Sequence, residues 1–191
     1  MSEILLTVCI PSLPERMASL AELVGVLRGQ DAPELEVLVL MDNRRRFLGE
    51  KRNAMIRMAR GKFIANVDDD DLVAPDFFSA IRSALSENVD LVAYDATCSL
   101  NGARPFRVNT GLDFENEQPK HIEGGYSDIR RRPWSWCAWR RELALQCKFP
   151  EYHDGAEDWT WLTQALPKVR TWRKIDEALY HHRYNAQTTA F

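Results

Sequence analysis

The first half of the chain alternates short apolar runs with segments of helical periodicity, and this alternation constrains the fold more than any other feature. Four runs are apolar almost throughout, which is typical of strands buried on both faces: 4–10, 36–41, 62–67 and 89–94. Three segments between them carry apolar residues at helical spacing: 15–27, 49–59 and one that begins at Pro75. Such alternation predicts βαβ units with right-handed crossovers. We therefore expect an α/β fold whose mostly parallel central sheet is flanked by helices.

The second half is less regular. Asn101 and Gly102 predict the tip of a turn between extended segments over 98–106. The stretch 107–132 has no clear period and is predicted to be a long loop. Two short helices and then two short strands are expected beyond it: 140–147, 157–166, 169–173 and 177–182.

Bulk composition excludes several classes of protein. The 191 residues suit one domain over 1–191, and a hydrophobic content of 45% can fill its core. A net charge of −3 does not indicate general binding of nucleic acid, and no apolar stretch approaches the ~20 residues that span a bilayer. The four cysteines form no C-x-x-C pair or zinc pattern, which indicates reduced thiols and a cytoplasmic location. Nothing in the sequence indicates an oligomeric state.

Polar residues follow the predicted strands at the edge where parallel strands present their carboxyl ends. Ligands of open α/β sheets bind in the crevice outside this edge. The residues that we expect to line it are Ser12, Arg16, Asp42, Asn43 and the run from Asp68 to Asp71.

The run from Asp68 to Asp71 is the strongest chemical signal. Four adjacent carboxylates repel one another unless a cation offsets their charge. Mg²⁺ and Mn²⁺ prefer oxygen ligands, take one or two protein carboxylates and fill their other positions with phosphate and water. Acids at the start of the helix after Pro75 would also favour its dipole, but that explains one or two of them. The run therefore predicts a site for Mn²⁺ or Mg²⁺.

Glu157 and Asp158 form a second acidic pair, which follows Gly155 and Ala156 at the start of a predicted helix. One carboxylate of such a pair can accept a proton from an attacking hydroxyl. Acids in the first turn of a helix are also common for reasons of capping, and spacing alone favours that reading.

Three weaker signals remain open between a structural and a functional role. Lys51 and Arg52 oppose the dipole at a helix start, which a bound diphosphate would explain as well as a solvated first turn does. His181 and His182 end the last apolar run, where one of them is able to complete a metal site. Trp134 and Trp136 share one face of an extended segment, and such rings either stack on sugars or fill a core.

The ordered set of motifs resembles the family 2 glycosyltransferases of the GT-A fold. That family opens with a strand that ends in Ile-Pro and a polar turn, and the segment 9–16 here is CIPSLPER. The second strand of the family ends in acids, which is similar to LMDN over 40–43, although Met41 replaces the first of the usual two acids. Because these acids hold the nucleoside in the family, the replacement by Met41 affects the expected contact with the nucleoside base.

Three further motifs carry the same resemblance. The family has an Arg-Asn pair at a helix start, a D-x-D at a strand end and a downstream Glu-Asp pair. The corresponding segments here are KRN over 51–53, DDD over 68–70 and Glu157-Asp158. The likeness covers 4–95 closely and 136–184 more loosely, and its details are similar to a compact subgroup found in bacterial and phage genomes.

The resemblance implies a single GT-A (Rossmann-like) domain with a nucleotide-sugar-binding half over 1–95 and an acceptor-binding half over 96–191. It implies that a nucleotide-diphosphate sugar, with a UDP-sugar favoured, contacts Pro11, Ser12, Leu13, Arg16, Asp42, Lys51, Arg52, Asn53, Asp68 and Asp69. The remaining roles are a divalent metal at Asp70 and His181, catalysis by Asp158 with Glu157, and acceptor binding by Trp134 and Trp136.

The implied reaction is an inverting transfer to a hydroxyl of a glycan or glycoconjugate, with a modified DNA base as the alternative acceptor. In the latter case the segment from Arg130 to Arg132 would contact phosphate. Other classes receive less support: a phosphohydrolase would carry its nucleophilic Asp after the first strand, and a nucleotidyltransferase would carry a glycine-rich signature there. A non-catalytic binding module would not need both a metal site and a base.

Overall fold

The computed structural model describes residues 3–152 and 156–186. Within these residues the strands are β1 (Leu6–Ser12), β2 (Leu35–Met41), β3 (Phe63–Asn66), β4 (Leu72–Val73), β5 (Leu91–Leu100), β6 (Phe106–Thr110), β7 (His121–Ile122), β8 (Gly125–Tyr126), β9 (Ile129–Arg131), β10 (Ala138–Arg140) and β11 (Trp172–Tyr184). The helices are α1 (Met17–Arg28), α2 (Leu48–Met58), α3 (Phe77–Arg82), α4 (Arg141–Ala144) and α5 (Glu157–Ala165). Short 3₁₀ turns cover Pro14–Arg16 and Leu166–Lys168.

The main path of the central sheet has the order β2-β1-β3-β10-β5-β11-β4. Strand β1 is buried along its whole length and pairs in parallel with β2 and β3, as its continuous apolar run predicts. Strands β5 and β11 are also parallel, whereas β10 and β4 run antiparallel to their neighbours. The expectation of an α/β fold with a mostly parallel sheet is therefore confirmed.

The second half departs from expectation in three places. The stretch 107–132 was expected to be a loop, but it contains most of β6 and all of β7, β8 and β9. Strand β10 enters the sheet between β3 and β5, and its three residues are too few to show a period. The two strands expected over 169–182 form the single strand β11, which irregular pairing with β5 interrupts between Ile175 and Tyr180.

The turn expected at Asn101 and Gly102 is present. It joins the antiparallel strands β5 and β6, and both residues have positive φ, 50° and 76° respectively. Glycine and asparagine tolerate this conformation better than other residues do. Within the described residues, no helix has the length and apolar character needed to cross a membrane.

Packing of the first two helices is only partly as expected. Helix α1 buries Leu20, Leu23 and Leu27 against the core, but Met17 at its start is 54% exposed. Helix α2 buries polar side chains from its first turns together with Met55, whereas Met58 faces solvent. The polar face of α2 is turned inward because it lies beside the site described next.

Candidate active site

A cavity of about 560 Å³ opens where β1 and β3 end. Most residues expected to form a site line it: Pro11, Ser12, Leu13, Arg16, Lys51, Asp68, Asp69, Asp70, Trp134, Trp136, Glu157 and Asp158. The carboxyl ends of parallel strands meet at one edge of a sheet, and this edge supplies the floor of the cavity. Gly155, which belongs to the acidic motif of α5, lies outside the described residues.

Asp69 holds together the turn that follows β1. Its side chain is almost fully buried and accepts hydrogen bonds from the Ser12 hydroxyl at 2.7 Å and the Leu13 backbone N–H at 3.4 Å. The Arg16 guanidinium donates to its other oxygen at 2.9 Å. Asp69 thus fixes the shape of the cavity beside β1 and is neutralised by the protein itself.

Arg52 lies beneath the cavity and connects two acidic groups. One guanidinium nitrogen is 2.9 Å from Asp68, and the other is 2.8 Å from Asp158 and 3.7 Å from Glu157. Burial alone would lower the pKa of Arg52, but the charges of Asp158, Asp68 and Glu157 outweigh it and raise that pKa. Arg52 therefore stays charged and sets the orientation of carboxylates from both halves of the chain.

Asp68 and Asp70 are the acids of the run whose charge is least well compensated. Burial raises the pKa of Asp68 despite its contact with Arg52. Burial, followed by the charge of Asp68, raises the pKa of Asp70 to about 6, although Arg16 lies 3.1 Å away and acts in the opposite direction. A cation in the cavity would relieve both groups.

Asp71 points into a network formed by β11. It accepts hydrogen bonds from the Tyr180 hydroxyl and the Arg183 backbone N–H, and Nδ1 of His182 lies 3.0 Å from it. Burial lowers the pKa of His182, but the hydrogen bond to Asp71 outweighs this and raises it. Protein groups thus neutralise Asp69 and Asp71. The repulsion expected among four acids therefore remains only between Asp68 and Asp70.

The two histidines of β11 face opposite ways, as neighbours in a strand must. His182 lines the cavity, whereas Nε2 of His181 lies 3.2 Å from the Ser99 hydroxyl and His181 is not part of the lining. In the neutral ring, donation from Nδ1–H of His182 to Asp71 would place the lone pair on Nε2, where a ligand could meet it. Of the two histidines at which a metal was expected, His182 is therefore the one that lies in the cavity.

The donor set fits a hard divalent cation in part. Among residues 3–152 and 156–186, no group of three or more His, Cys, Asp or Glu side chains is arranged to hold a metal ion. Mg²⁺ and Mn²⁺ do not need such a cage when a diphosphate and water supply the other ligands. Asp68 and Asp70 offer carboxylate oxygens in the cavity with raised pKa values, which is the chemistry that such a cation requires.

Three residues that were expected at the nucleotide lie outside the cavity lining. Asp42 is 2.6 Å from Nζ of Lys51, and the same Nζ donates to the Ser12 carbonyl at 2.9 Å. Asn53 is used structurally, because its amide donates to the Phe149 carbonyl and accepts from the Phe149 N–H, both at 2.9 Å. Arg52 lies beneath, as described above. Asn43, expected in the same crevice, is exposed and outside the lining.

Trp134 and Trp136 line the cavity next to each other, with ring centroids 5.9 Å apart. Trp136 is only 8% exposed and stacks on Tyr180 at 4.7 Å, so this ring belongs mainly to the core. Trp134 is less buried and carries the Arg131 guanidinium over its face at 4.3 Å. We call Trp134 and Trp136 the tryptophan wall.

The family model of glycosyl transferase family 2 matches residues 32–136, which is more than half of the chain. The chain belongs to glycosyl transferase family 2.

This family 2 member is similar to named proteins in sequence and to solved structures in fold. EpsH of Bacillus subtilis (strain 168), whose name describes it as a glycosyltransferase, is 27% identical over 95% of this chain and 58% of its own length. The structure of S. aureus TarS 1-349 in complex with UDP-GlcNAc has a TM-score of 0.69 and 17% identity, covering 98% of this chain and 62% of that one. This chain therefore spans about three fifths of the length of these relatives.

A mannosyltransferase, PcManGT from Pyrobaculum calidifontis, is similar in the same way. Its complex with GDP-Man and Mn²⁺ has a TM-score of 0.59 and 15% identity, covering 98% of this chain and 59% of that one. At these identities the structural likeness concerns the fold. It confirms the expected GT-A arrangement.

Several lining residues of this family 2 member were not among the site residues expected from the sequence: Arg44, Arg46, Phe47, Leu48, Gly49, Arg131, Tyr152, Arg183 and Tyr184. Arg44 and Arg46 belong to a basic loop that resembles an ordinary solvated segment. Tyr184 follows His182 by two positions, so strand alternation from His182 would have found it. Arg131 was expected to contact phosphate only under the DNA-base alternative, and its two arginine neighbours otherwise give the segment the pattern of a solvated loop.

Proposed function

We propose that this chain transfers a sugar from a nucleotide-diphosphate sugar, with a UDP-sugar favoured, to a hydroxyl of a glycan or glycoconjugate. The transfer uses Mn²⁺ or Mg²⁺ and inverts the anomeric configuration. The carrying observation is that one buried arginine, Arg52, joins Asp68 on the first half to Asp158 on the second, within one cavity. Asp68 is thereby available beside the divalent cation, and Asp158 is available as the base that accepts a proton from the acceptor.

Donor binding is assigned to the first half, over 1–95. Lys51 and Arg16 bring positive charge to the cavity, and the first turn of α2 supplies Leu48 and Gly49 beside it. Cations and backbone N–H groups at a helix start suit the phosphates of a nucleotide sugar. The complexes of TarS with UDP-GlcNAc and of PcManGT with GDP-Man support this class of donor.

Asp70 is proposed to hold the divalent cation, with Asp68 close by and His182 as a further ligand. When bound, such a cation acts as a Lewis acid and neutralises charge on the leaving diphosphate. The raised pKa of Asp70, about 6, supports this assignment, because a carboxylate lacking compensation gains most from a cation. The Mn²⁺ complex of PcManGT supports metal use in this fold.

Asp158 is proposed to be the general base. An acceptor hydroxyl has a pKa far above 7 and needs a base in hydrogen-bond reach, at about 2.6–3.2 Å, as the new bond forms. Arg52 holds the Asp158 carboxylate in one orientation, and Glu157 beside it would bind acceptor hydroxyls or orient its neighbour. The second half, over 96–191, is therefore assigned to the acceptor, with the tryptophan wall packing against its sugar rings.

Replacing Asp158 with Asn tests the base, because the change keeps shape and removes basicity. UDP binding should persist while transfer falls by about 10²–10⁴-fold, the usual contribution of a positioned base. Titration calorimetry measures the first quantity and a coupled UDP-release assay the second. Near-normal transfer in Asp158→Asn, or a product that retains the donor configuration by NMR, would refute the proposal.

Replacing Asp70 with Asn tests the metal site. The affinity for UDP should rise on adding Mn²⁺ in the unmodified protein and become insensitive to Mn²⁺ in Asp70→Asn. Asp113→Asn is the matched control, since Asp113 is an exposed carboxylate outside the cavity lining. Equal Mn²⁺ dependence in all three proteins would show that Asp70 does not hold the cation.

A further inference from the structure

The three arginines from Arg130 to Arg132 do not form one basic surface. Strand β9 ends within this segment, so successive side chains alternate in direction. Arg130 forms an exposed ion pair with Glu117 at 2.8 Å, and Arg132 donates to the Phe114 carbonyl at 3.1 Å. Arg131 alone of the three lines the cavity.

Among the residues that the structure describes, Arg131 differs from the other arginines of the cavity in having no carboxylate within ion-pair distance. Each of the others has a carboxylate within ion-pair distance: Arg16 with Asp69 and Asp70, Arg44 with Glu15, Arg46 with Asp42 and Arg183 with Glu22. In the part of the chain that the structure describes, no carboxylate oxygen forms an ion pair with Arg131.

The surroundings of Arg131 make the lack of an ion-pair partner energetically costly. The side chain is half-buried, its Nε is buried without a hydrogen-bond partner among the described residues, and its guanidinium lies over the Trp134 ring. Burial lowers the pKa of Arg131, and the charge of Asp158 opposes this only in part. A partly desolvated guanidinium whose Nε–H lacks an acceptor favours a phosphate or carboxylate ligand.

We propose that Arg131 and the tryptophan wall form a subsite for an anionic group, a phosphate or a carboxylate, carried by the acceptor. This inference rests on the proposed function. Arg131 belongs to the same side of the cavity as Trp134, while Lys51 and Arg16 already supply positive charge on the donor side. An anion bound by Arg131 would be held near Asp158 and would bring a neighbouring hydroxyl of the same molecule toward the base.

Glycerol 3-phosphate and glycerol form a matched pair of probes for this subsite. Both are titrated calorimetrically into the protein after saturation with UDP and Mn²⁺, so that the donor phosphates already occupy their own site. We expect glycerol 3-phosphate to bind more tightly than glycerol. Arg131→Gln should weaken the binding of glycerol 3-phosphate at least about tenfold and leave UDP affinity unchanged. Arg131→Lys should restore part of the loss.

Arg130→Gln and Arg132→Gln are the controls, because these neighbours lie outside the cavity lining and should leave both affinities unchanged. The proposed subsite is wrong if the Arg131→Gln variant binds glycerol 3-phosphate normally. It is also wrong if this variant binds UDP more weakly instead, which would assign Arg131 to the donor diphosphate. It is equally wrong if the control variants weaken glycerol 3-phosphate as much, since an extended basic surface of the kind that contacts a nucleic-acid backbone would then be responsible.

Failure of the proposed function can be distinguished from failure of the anion subsite. If the unmodified protein binds neither UDP nor GDP, the transferase proposal fails. The comparison of Arg131→Gln with Arg130→Gln is then made with glycerol 3-phosphate in the absence of nucleotide, and it still decides whether Arg131 binds an anion.

Discussion

The two halves of this molecule build the site in different ways. In the first half, parallel strands end at one edge, and the functional side chains follow within a few residues of each strand end. Asp69, for example, bonds to Ser12 and Arg16, which come from the adjacent strand end and the turn after it. In the second half, the elements other than β11 are short, and side chains reach back to charges of the first half.

This difference explains how four adjacent acids are tolerated. Each acid of the run has its own surroundings, because the backbone turns after β3 and the side chains diverge. First-half groups neutralise Asp69, and second-half groups from β11 neutralise Asp71. Asp68 and Asp70 remain in the cavity with raised pKa values. The first half thus supplies the charges, and the second half determines which of them stay available to a ligand.

Arg52→Met should produce the largest effect, since buried Arg52 pairs with carboxylates of both halves. The change leaves Asp68, Asp158 and Glu157 without their shared cation, and breaking a buried ion pair typically costs about 3–5 kcal/mol. Urea unfolding measures the free energy of unfolding. Arg52→Lys, which keeps the charge but loses the forked geometry, should lose less. If Arg52→Met is as stable as the unmodified protein, the two halves are not coupled through this residue.

The first half could be predicted from the sequence because its signals are local. The strand expected over 36–41 is Leu35–Met41, and the helix expected over 49–59 is Leu48–Met58. A buried strand and an amphipathic helix each leave a pattern within about ten residues. The cavity edge followed from the same local pattern, since it lies where these strands end.

Most of the second half could not be predicted in this way. The three residues of β10 are too short to carry a period, and their place in the sheet depends on β3 and β5, which are distant in sequence. The roles of Asn53 and Arg131 likewise depend on remote partners. Asn53 bonds to Phe149, 96 positions away, and Arg131 is distinguished from Arg130 only by what surrounds each of them.

Gly49→Ala tests a second contact between the halves and should have an intermediate effect. A Cβ at Gly49 would lie 1.9 Å from the Pro150 carbonyl oxygen, so the segment around Pro150 would have to move. Such overpacking typically costs about 1–3 kcal/mol. Gly25→Ala in α1 is the matched control: its Cβ would meet no atom within 4 Å, and replacing glycine inside a helix should stabilise by about 0.5–1 kcal/mol. Thermal unfolding that ranks both variants alike would contradict the tight contact at Gly49.

Asp90→Asn should have the smallest effect and tests whether a contact between the start of β5 and the segment before β11 matters for stability alone. Asp90, just before β5, accepts hydrogen bonds from the backbone N–H groups of Arg170 at 2.9 Å and Thr171 at 3.1 Å, before β11. Burial alone would raise the pKa of Asp90, but these N–H groups outweigh it and lower the pKa below its usual value.

The sign of the pH dependence follows from that shift. A carboxyl group whose pKa is lower in the folded state stabilises the protein above its unfolded pKa of about 3.9, and the contribution disappears as pH falls through the folded value. Asp90→Asn should therefore destabilise by about 1 kcal/mol at pH 7 and by progressively less below about pH 4. Asp176→Asn is the control, since that side chain is 90% exposed and should change stability by less than about 0.5 kcal/mol at either pH.

UDP affinity should be unchanged in both variants, because neither residue lines the cavity. A loss of UDP affinity in Asp90→Asn would mean that the contact between β5 and β11 reaches the site, and that the two halves are less distinct than their geometry indicates.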